Sequence, residues 1–240
     1  MKLEWVISEE SIAKWREFVN SNISNEFVKD REARNITRTN VDLSEEIIWR
    51  VIVGCQVTTQ QRSGPTSNVS KFLDSNSPAL FFKKCQKNKN RNDFIQSELS
   101  KAGLRRANIM AKNLSEIIQY LDSGGWDALI DELNSIKNKT TKAKERKIAD
   151  SIAKRLPGFG PKQSRNFIQW LGLSRYEIPI DSRITKTMKR LGCSFVPHAS
   201  ALSDITVYCV IQDGLQEISS RLKIYPCILD ACIFSSFDIK

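Results

Sequence analysis

Long apolar runs are missing from this sequence. No stretch reaches the roughly 18 consecutive apolar residues of a membrane-spanning helix, so no membrane association is expected. The start, Met1-Lys2-Leu3-Glu4-Trp5, has an early acid and no apolar core, so no signal peptide is read there. Histidine occurs once, as His198 after Pro197, and no role is assigned to it. With the six cysteines Cys55, Cys85, Cys193, Cys209, Cys227 and Cys232 forming no CxxC pair, a zinc site of the usual Cys/His kind is not expected. Six cysteines are also too thin for a disulfide scaffold, which points to a reducing compartment: cytoplasm, nucleoid or nucleus rather than the secretory route. Sustained Val/Ile/Thr alternation is scarce, so a sheet is not expected, and no internal repeat or low-complexity linker is visible.

What the chain has is positive charge. Its 240 residues carry 37 Lys+Arg against 27 Asp+Glu, a net charge of +10, within an ordinary globular composition of 40% apolar and 27% charged residues. Such an excess suggests an anionic partner, most often nucleic acid. Two runs, Lys83–Arg91 (KKCQKNKNR) and Lys137–Lys147 (KNKTTKAKERK), together account for the whole excess. Each could be a solvated polar loop or a patch facing phosphates.

Helical periodicity fills most of the chain. Apolar spacing predicts helices over Ser8–Val19, Ser44–Val57, Ser67–Asp74, Asn92–Lys101, Arg106–Asp122, Trp126–Ser135 and Ala143–Arg155. Pro78 should open a further helix through Leu80, Phe81 and Phe82. Another helix should run to Leu171 and another from Ser182 to Leu191, and the tail Thr206–Phe237 reads as two more around Tyr225-Pro226. The fold class expected is therefore all-α.

Between two of these helices lies Leu156-Pro157-Gly158-Phe159-Gly160-Pro161-Lys162. Two glycines let the backbone turn tightly and expose N–H groups, and Pro161 suits a first helical position. Such a helix start can hold a phosphate, the layout of a helix-hairpin-helix, although a plain helical hairpin would look similar. Lys162 sits where the helix dipole disfavours a cation. Partial burial would lower its pKa and free a neutral amine as a nucleophile. Otherwise it is an exposed lysine on a phosphate-binding face. Nineteen residues on, Asp181 in Ile178-Pro179-Ile180-Asp181-Ser182-Arg183-Ile184 directly precedes a helix. It can be a helix cap, a charge aimed at a reacting centre, or both.

LPGFGPK, followed by NFIQWLG and PIDSRI, resembles the helix-hairpin-helix (HhH-GPD) DNA glycosylase superfamily, which includes endonuclease III and the 8-oxoguanine DNA glycosylases. The resemblance covers Ser44 to Leu191 well and the tail more weakly. It implies two helical subdomains with DNA across the cleft between them: a bundle over residues 44–173 containing the hairpin (about 148–171), and a second unit from 1–43 plus 174–240. It implies that Lys162 is the catalytic lysine and Asp181 the catalytic aspartate. A damaged nucleotide would flip into a pocket, Lys162 would attack C1′ and expel the base as a Schiff base forms, and β-elimination would nick the strand. Gly158, Phe159 and Gly160 would grip the DNA backbone. One of Gln56, Gln60 and Gln61 would fill the gap left by the flipped base, unless these belong to an ordinary polar turn.

Many endonuclease III-like members carry a four-cysteine iron–sulfur cluster after the aspartate. The gaps from Cys193 to Cys209 and to Cys227 are too long for one, so no cluster and no cofactor are expected, and Cys227 and Cys232 read as core thiols. This favours an 8-oxoguanine-type activity, since the alkylpurine branch usually lacks the lysine. Compact archaeal-type members end near a lysine that approaches the base pocket, which makes Lys240 a pocket candidate beside the aromatic residues Trp170 and Phe237. A frayed tail and ordinary core aromatics are the alternatives. The partner expected is duplex DNA with a damaged base, bound by a monomer. The rival functions are a monofunctional glycosylase and a non-catalytic helix-hairpin-helix module.

Overall fold

Several helix starts in this chain carry their own caps. In the computed structural model Ser8 accepts from Ser11 N–H at 3.1 Å, Asn25 from Phe27 at 2.9 Å, Thr141 from Lys144 at 3.3 Å and Asp204 from Thr206 at 2.8 Å. The structure describes residues 4–37, 40–61, 64, 66–74 and 80–237. The elements are α1 (Glu9–Asn22), α2 (Glu26–Glu32), α3 (Glu45–Val57), α4 (Asn68–Leu73), α5 (Phe82–Lys87), α6 (Arg91–Lys101), α7 (Ala107–Tyr120), α8 (Trp126–Asn134), α9 (Lys142–Arg155), α10 (Pro161–Trp170), α11 (Ser182–Arg190), α12 (Ile205–Leu222) and α13 (Pro226–Ser235). The all-α architecture expected from the sequence is the one observed: no strand occurs among the described residues.

One helix was missing from the sequence expectations and one expected start needs correction. α2 was not foreseen at all. Pro78 lies outside the described residues, and α5 begins only at Phe82, because Leu80 is turned so that its carbonyl accepts from Trp49 Nε1 at 2.7 Å. Ser44 does stand at the start of α3, but its hydroxyl makes no cap hydrogen bond.

The apolar faces assemble into two cores. The first runs from Val41 to Leu173 and centres on α3 and α7, with Ile48, Trp49, Ile52, Leu114, Ile117 and Ile118 fully buried. Trp49, Phe82 and Trp126 form a chain of edge-on contacts with centroids 5.4 and 5.1 Å apart. The second core joins both ends of the chain: Trp15, Val19 and Val28 pack with Ile178–Met188 and with α12 and α13. α13 is apolar all round, as a helix at the centre of a core must be. Cys227 and Cys232 are buried on it, and burial pushes both thiols up to about 12. α10 closes the first core and Asp181 caps α11, a helix of the second, so the two proposed reactive residues meet where the cores adjoin.

Candidate active site

The turn between α9 and α10 is tight because Gly158 takes φ +77°, which side chains other than glycine rarely adopt. The space is as restrictive as the torsion, since a Cβ there would lie 2.2 Å from Asn113 Nδ2 and 2.7 Å from Gln56 Nε2. Phe159 N–H donates to Leu156 O at 3.1 Å, and Ser164 N–H to Gly160 O at 3.1 Å. Gly158 and Gly160 are exposed, and among the described residues their N–H groups carry no hydrogen bond. Phe159 faces the other way. Its ring is buried against Phe167 at 5.9 Å, so it anchors the turn into the first core and presents no side chain to a ligand.

Lys162 follows Pro161 in the first turn of α10 and is half-buried. Burial lowers its pKa below the ordinary lysine value, partly offset by the attraction of Asp181, Cys55 and Asp230. Among the described residues its amine makes no hydrogen bond and no ion pair. Asp181 caps α11, with Oδ1 accepting from Arg183 N–H at 2.8 Å and Ile184 N–H at 3.3 Å. Its other oxygen carries no hydrogen bond among the described residues.

Both residues line a cavity of about 530 Å³, a volume usual for small-ligand sites. Ile47, Arg50, Val51 and Gly54 of α3 and Trp170 of α10 form one wall, and Phe27, Arg31, Asp230, Arg183 and Phe234 the other. Gly54 is needed for that first wall, because a Cβ there would approach the Trp170 ring to 2.9 Å. On the second wall Phe27 and Phe234 stack at 4.7 Å and 17°. Arg183 lies 3.9 Å over the Phe234 ring, and Arg31 is 5.4 Å from that of Phe27. Arg31 also makes a buried ion pair with Asp230 at 2.7 Å. Burial pushes the Asp230 carboxyl up, against the pull of Arg31.

The structure thus brings together Lys162, Asp181 and Trp170 but not the other pocket candidates. Phe237, just past the end of α13, is 41% exposed and does not line the cavity, which Phe234 in the last turn of that helix does. Lys240 lies outside the described residues. The three glutamines separate clearly. Gln56 is buried, donating to Pro157 O at 2.8 Å and accepting from Asn113 Nδ2 at 3.2 Å, so it braces the hairpin from beneath and cannot reach a duplex. Gln61 folds back onto Val57 O at 2.5 Å and accepts from Arg105 N–H at 3.0 Å. Gln60 alone is exposed, at φ +54°, with its Oε1 accepting from Arg106, itself at φ +60°. Phe27, Arg31, Asp230 and Phe234 had no signal in the sequence. Of the two helices that carry them, α2 went unrecognised, although Asn25-Glu26 is an ordinary helix start.

The two-core helical fold, with a hairpin-borne lysine and a capping aspartate at a shared cavity, resembles that of solved 8-oxoguanine DNA glycosylases. The chain is similar to the 8-oxoguanine DNA glycosylase of Methanocaldococcus jannaschii (16% identity, TM-score 0.65, 94% of this chain and 92% of that one). It is similar also to that archaeon's 8-oxoguanine glycosylase/lyase in complex with a 15mer DNA containing 8-oxoguanine (16%, TM-score 0.66, 95% and 99%). The 8-oxoguanine DNA glycosylase of Thermotoga maritima aligns at 13% identity and TM-score 0.60, covering 96% of each chain. No family model and no curated protein matches the sequence.

Proposed function

We propose that this protein is a DNA glycosylase with AP-lyase activity that removes an oxidised base, 8-oxoguanine first, from duplex DNA as a monomer. The observation that carries the reading is the unpaired, half-buried Lys162 amine sharing a cavity with Asp181 on this fold.

The residues divide the work as follows. The exposed N–H groups of Gly158 and Gly160 hold a backbone phosphate at the start of α10. Gln60 enters the gap left by the flipped nucleotide, since it is the exposed one of the three, while Gln56 is buried and Gln61 is held by Val57 O and Arg105 N–H. Trp170 and the Phe27–Phe234 pair give the extruded base aromatic surface to lie on. Lys162 attacks C1′ as the glycosidic bond breaks, the base leaves with the electron pair, and the imine that forms at C1′ then permits β-elimination of the 3′ phosphate. Asp181 stabilises the positive charge that develops on the sugar.

Borohydride trapping on a duplex containing 8-oxoguanine tests this. A covalent complex is expected with the parent protein and none with Lys162→Gln. Asp181→Asn keeps both cap hydrogen bonds and should slow base release by at least about 100-fold without unfolding the protein. Base release without trapping would make the enzyme monofunctional. Cutting confined to thymine glycol within a panel of 8-oxoguanine, thymine glycol, uracil and alkylpurines would move the substrate to oxidised pyrimidines.

A further inference from the structure

Residues 174–180 join α10 to Asp181 without regular secondary structure, yet their polar groups are held almost entirely by buried side chains. The Glu145 carboxylate, fully buried, accepts from the N–H groups of Arg175 at 3.0 Å, Tyr176 at 2.8 Å and Glu177 at 3.2 Å. Tyr208 donates its hydroxyl to Ile178 O at 2.7 Å and accepts from Ile180 N–H at 2.8 Å. Between them Arg165 and Glu177, both 0% exposed, form an ion pair at 2.9 Å. Gln212 donates to the other Glu177 oxygen at 2.6 Å, and the Arg165 guanidinium lies 5.2 Å from the Tyr208 ring and 2.5 Å from Asp150.

A fully buried ion pair is a poor source of stability, because desolvating both charges offsets their attraction. Its position suggests another use. Arg165 is one helical turn beyond Lys162 in α10, and Glu177 is four residues before Asp181. The pair therefore closes the excursion of the chain at the level of the two proposed reactive groups, across the line where one core gives way to the other.

We propose that the Arg165–Glu177 pair, with Tyr208 beneath it, sets the distance between the Lys162 amine and the Asp181 carboxylate, making these three positioning residues for base excision. The proposal rests on the glycosylase reading. A displacement of about 1 Å at a reacting group can lower a rate about 100-fold while leaving binding intact, and that split separates positioning from plain stabilisation.

The test is the double variant Arg165→Met/Glu177→Gln, which removes the two fully buried charges together, keeps a partner for Gln212 and leaves only the half-buried Asp150 without its cation, alongside Tyr208→Phe, which removes one hydroxyl. Each is compared with the parent for duplex affinity, single-turnover base release and the pH midpoint of amine labelling at Lys162, where Asp181, Asp230, Cys55 and Arg183 are the neighbouring groups. Folded variants should bind duplex within about twofold of the parent, release base at least about 100-fold more slowly, and show a labelling midpoint moved further down, because an amine set farther from Asp181 loses the attraction that raises its pKa. Folded variants with the parental rate and midpoint would overturn the proposal. If the double variant does not fold, Tyr208→Phe decides on the same readouts. If the parent itself releases no base, the glycosylase reading fails, and the labelling midpoint alone decides whether the network positions Lys162.

Discussion

Lys162 sits against two local preferences at once, a helix N-terminus that repels cations and a half-buried site that disfavours charge. Below its lowered pKa the native protein holds an incompletely hydrated ammonium that unfolding would release to water. Between that value and the ordinary 10.5 the unfolded chain keeps the proton and the native chain does not, so this lysine makes stability rise with pH across that window. Lys162→Gln should therefore raise the thermal midpoint at pH 7, by an amount corresponding to about 1 kcal/mol, and flatten that rise. A lower midpoint in calorimetry would mean the amine is held by favourable contacts and is no strained nucleophile. Lys162 and Asp181 were legible in the sequence because punctuation marks them: a glycine turn and a proline before the one, a helix start after the other. Arg31 and Asp230 were not. They meet across 199 residues, and nothing local distinguishes either from a surface charge.

At the scale of elements the same contrast holds. Helices with a strong apolar repeat, such as α3 and α7, announced themselves. The seven-residue α2 did not, because only Val28 and Arg31 of it are buried and so short an element shows no repeat. The hairpin was legible as a turn, but what supports it was not. Gln56 looked like a surface glutamine of a polar turn and is in fact the brace between α3 and the carbonyl of Pro157. Gln56→Leu would leave that carbonyl and Asn113 without their partner, at a cost of about 1–3 kcal/mol. The expected result is a lower unfolding midpoint and weaker binding of undamaged and damaged duplex alike, through a loosened turn. If Gln56 were the residue that enters the duplex, its loss would instead weaken only the complex with a flipped base and leave stability untouched.

For the whole molecule, the net charge of +10 proves to be partly internal. Lys142 and Arg146 share Asp213, at 3.2 and 2.7 Å, and Arg91 pairs with Asp122 at 3.6 Å. No residue of either basic run lines the cavity, whose cations are Arg31, Arg34, Arg50, Lys162 and Arg183. The chain therefore separates a diffuse charge outside the site from a compact one within it, which sequence counting could not do because it cannot tell a paired cation from a free one. The exposed lysines Lys83, Lys87, Lys89, Lys139 and Lys147 have no ion-pair partner among the described residues. On the glycosylase reading they attract the duplex without touching the reacting nucleotide. Each lysine that neutralises a phosphate adds about 0.9 to the slope of log affinity against log salt. Replacing these five by glutamine should therefore lower that slope by up to about 4.5 and slow association, while single-turnover base release at saturating enzyme stays within about twofold of the parent. An unchanged slope would mean that the runs lie away from the DNA. A collapse of the single-turnover rate would place them in the site, and the division of charge drawn from the cavity lining would be wrong.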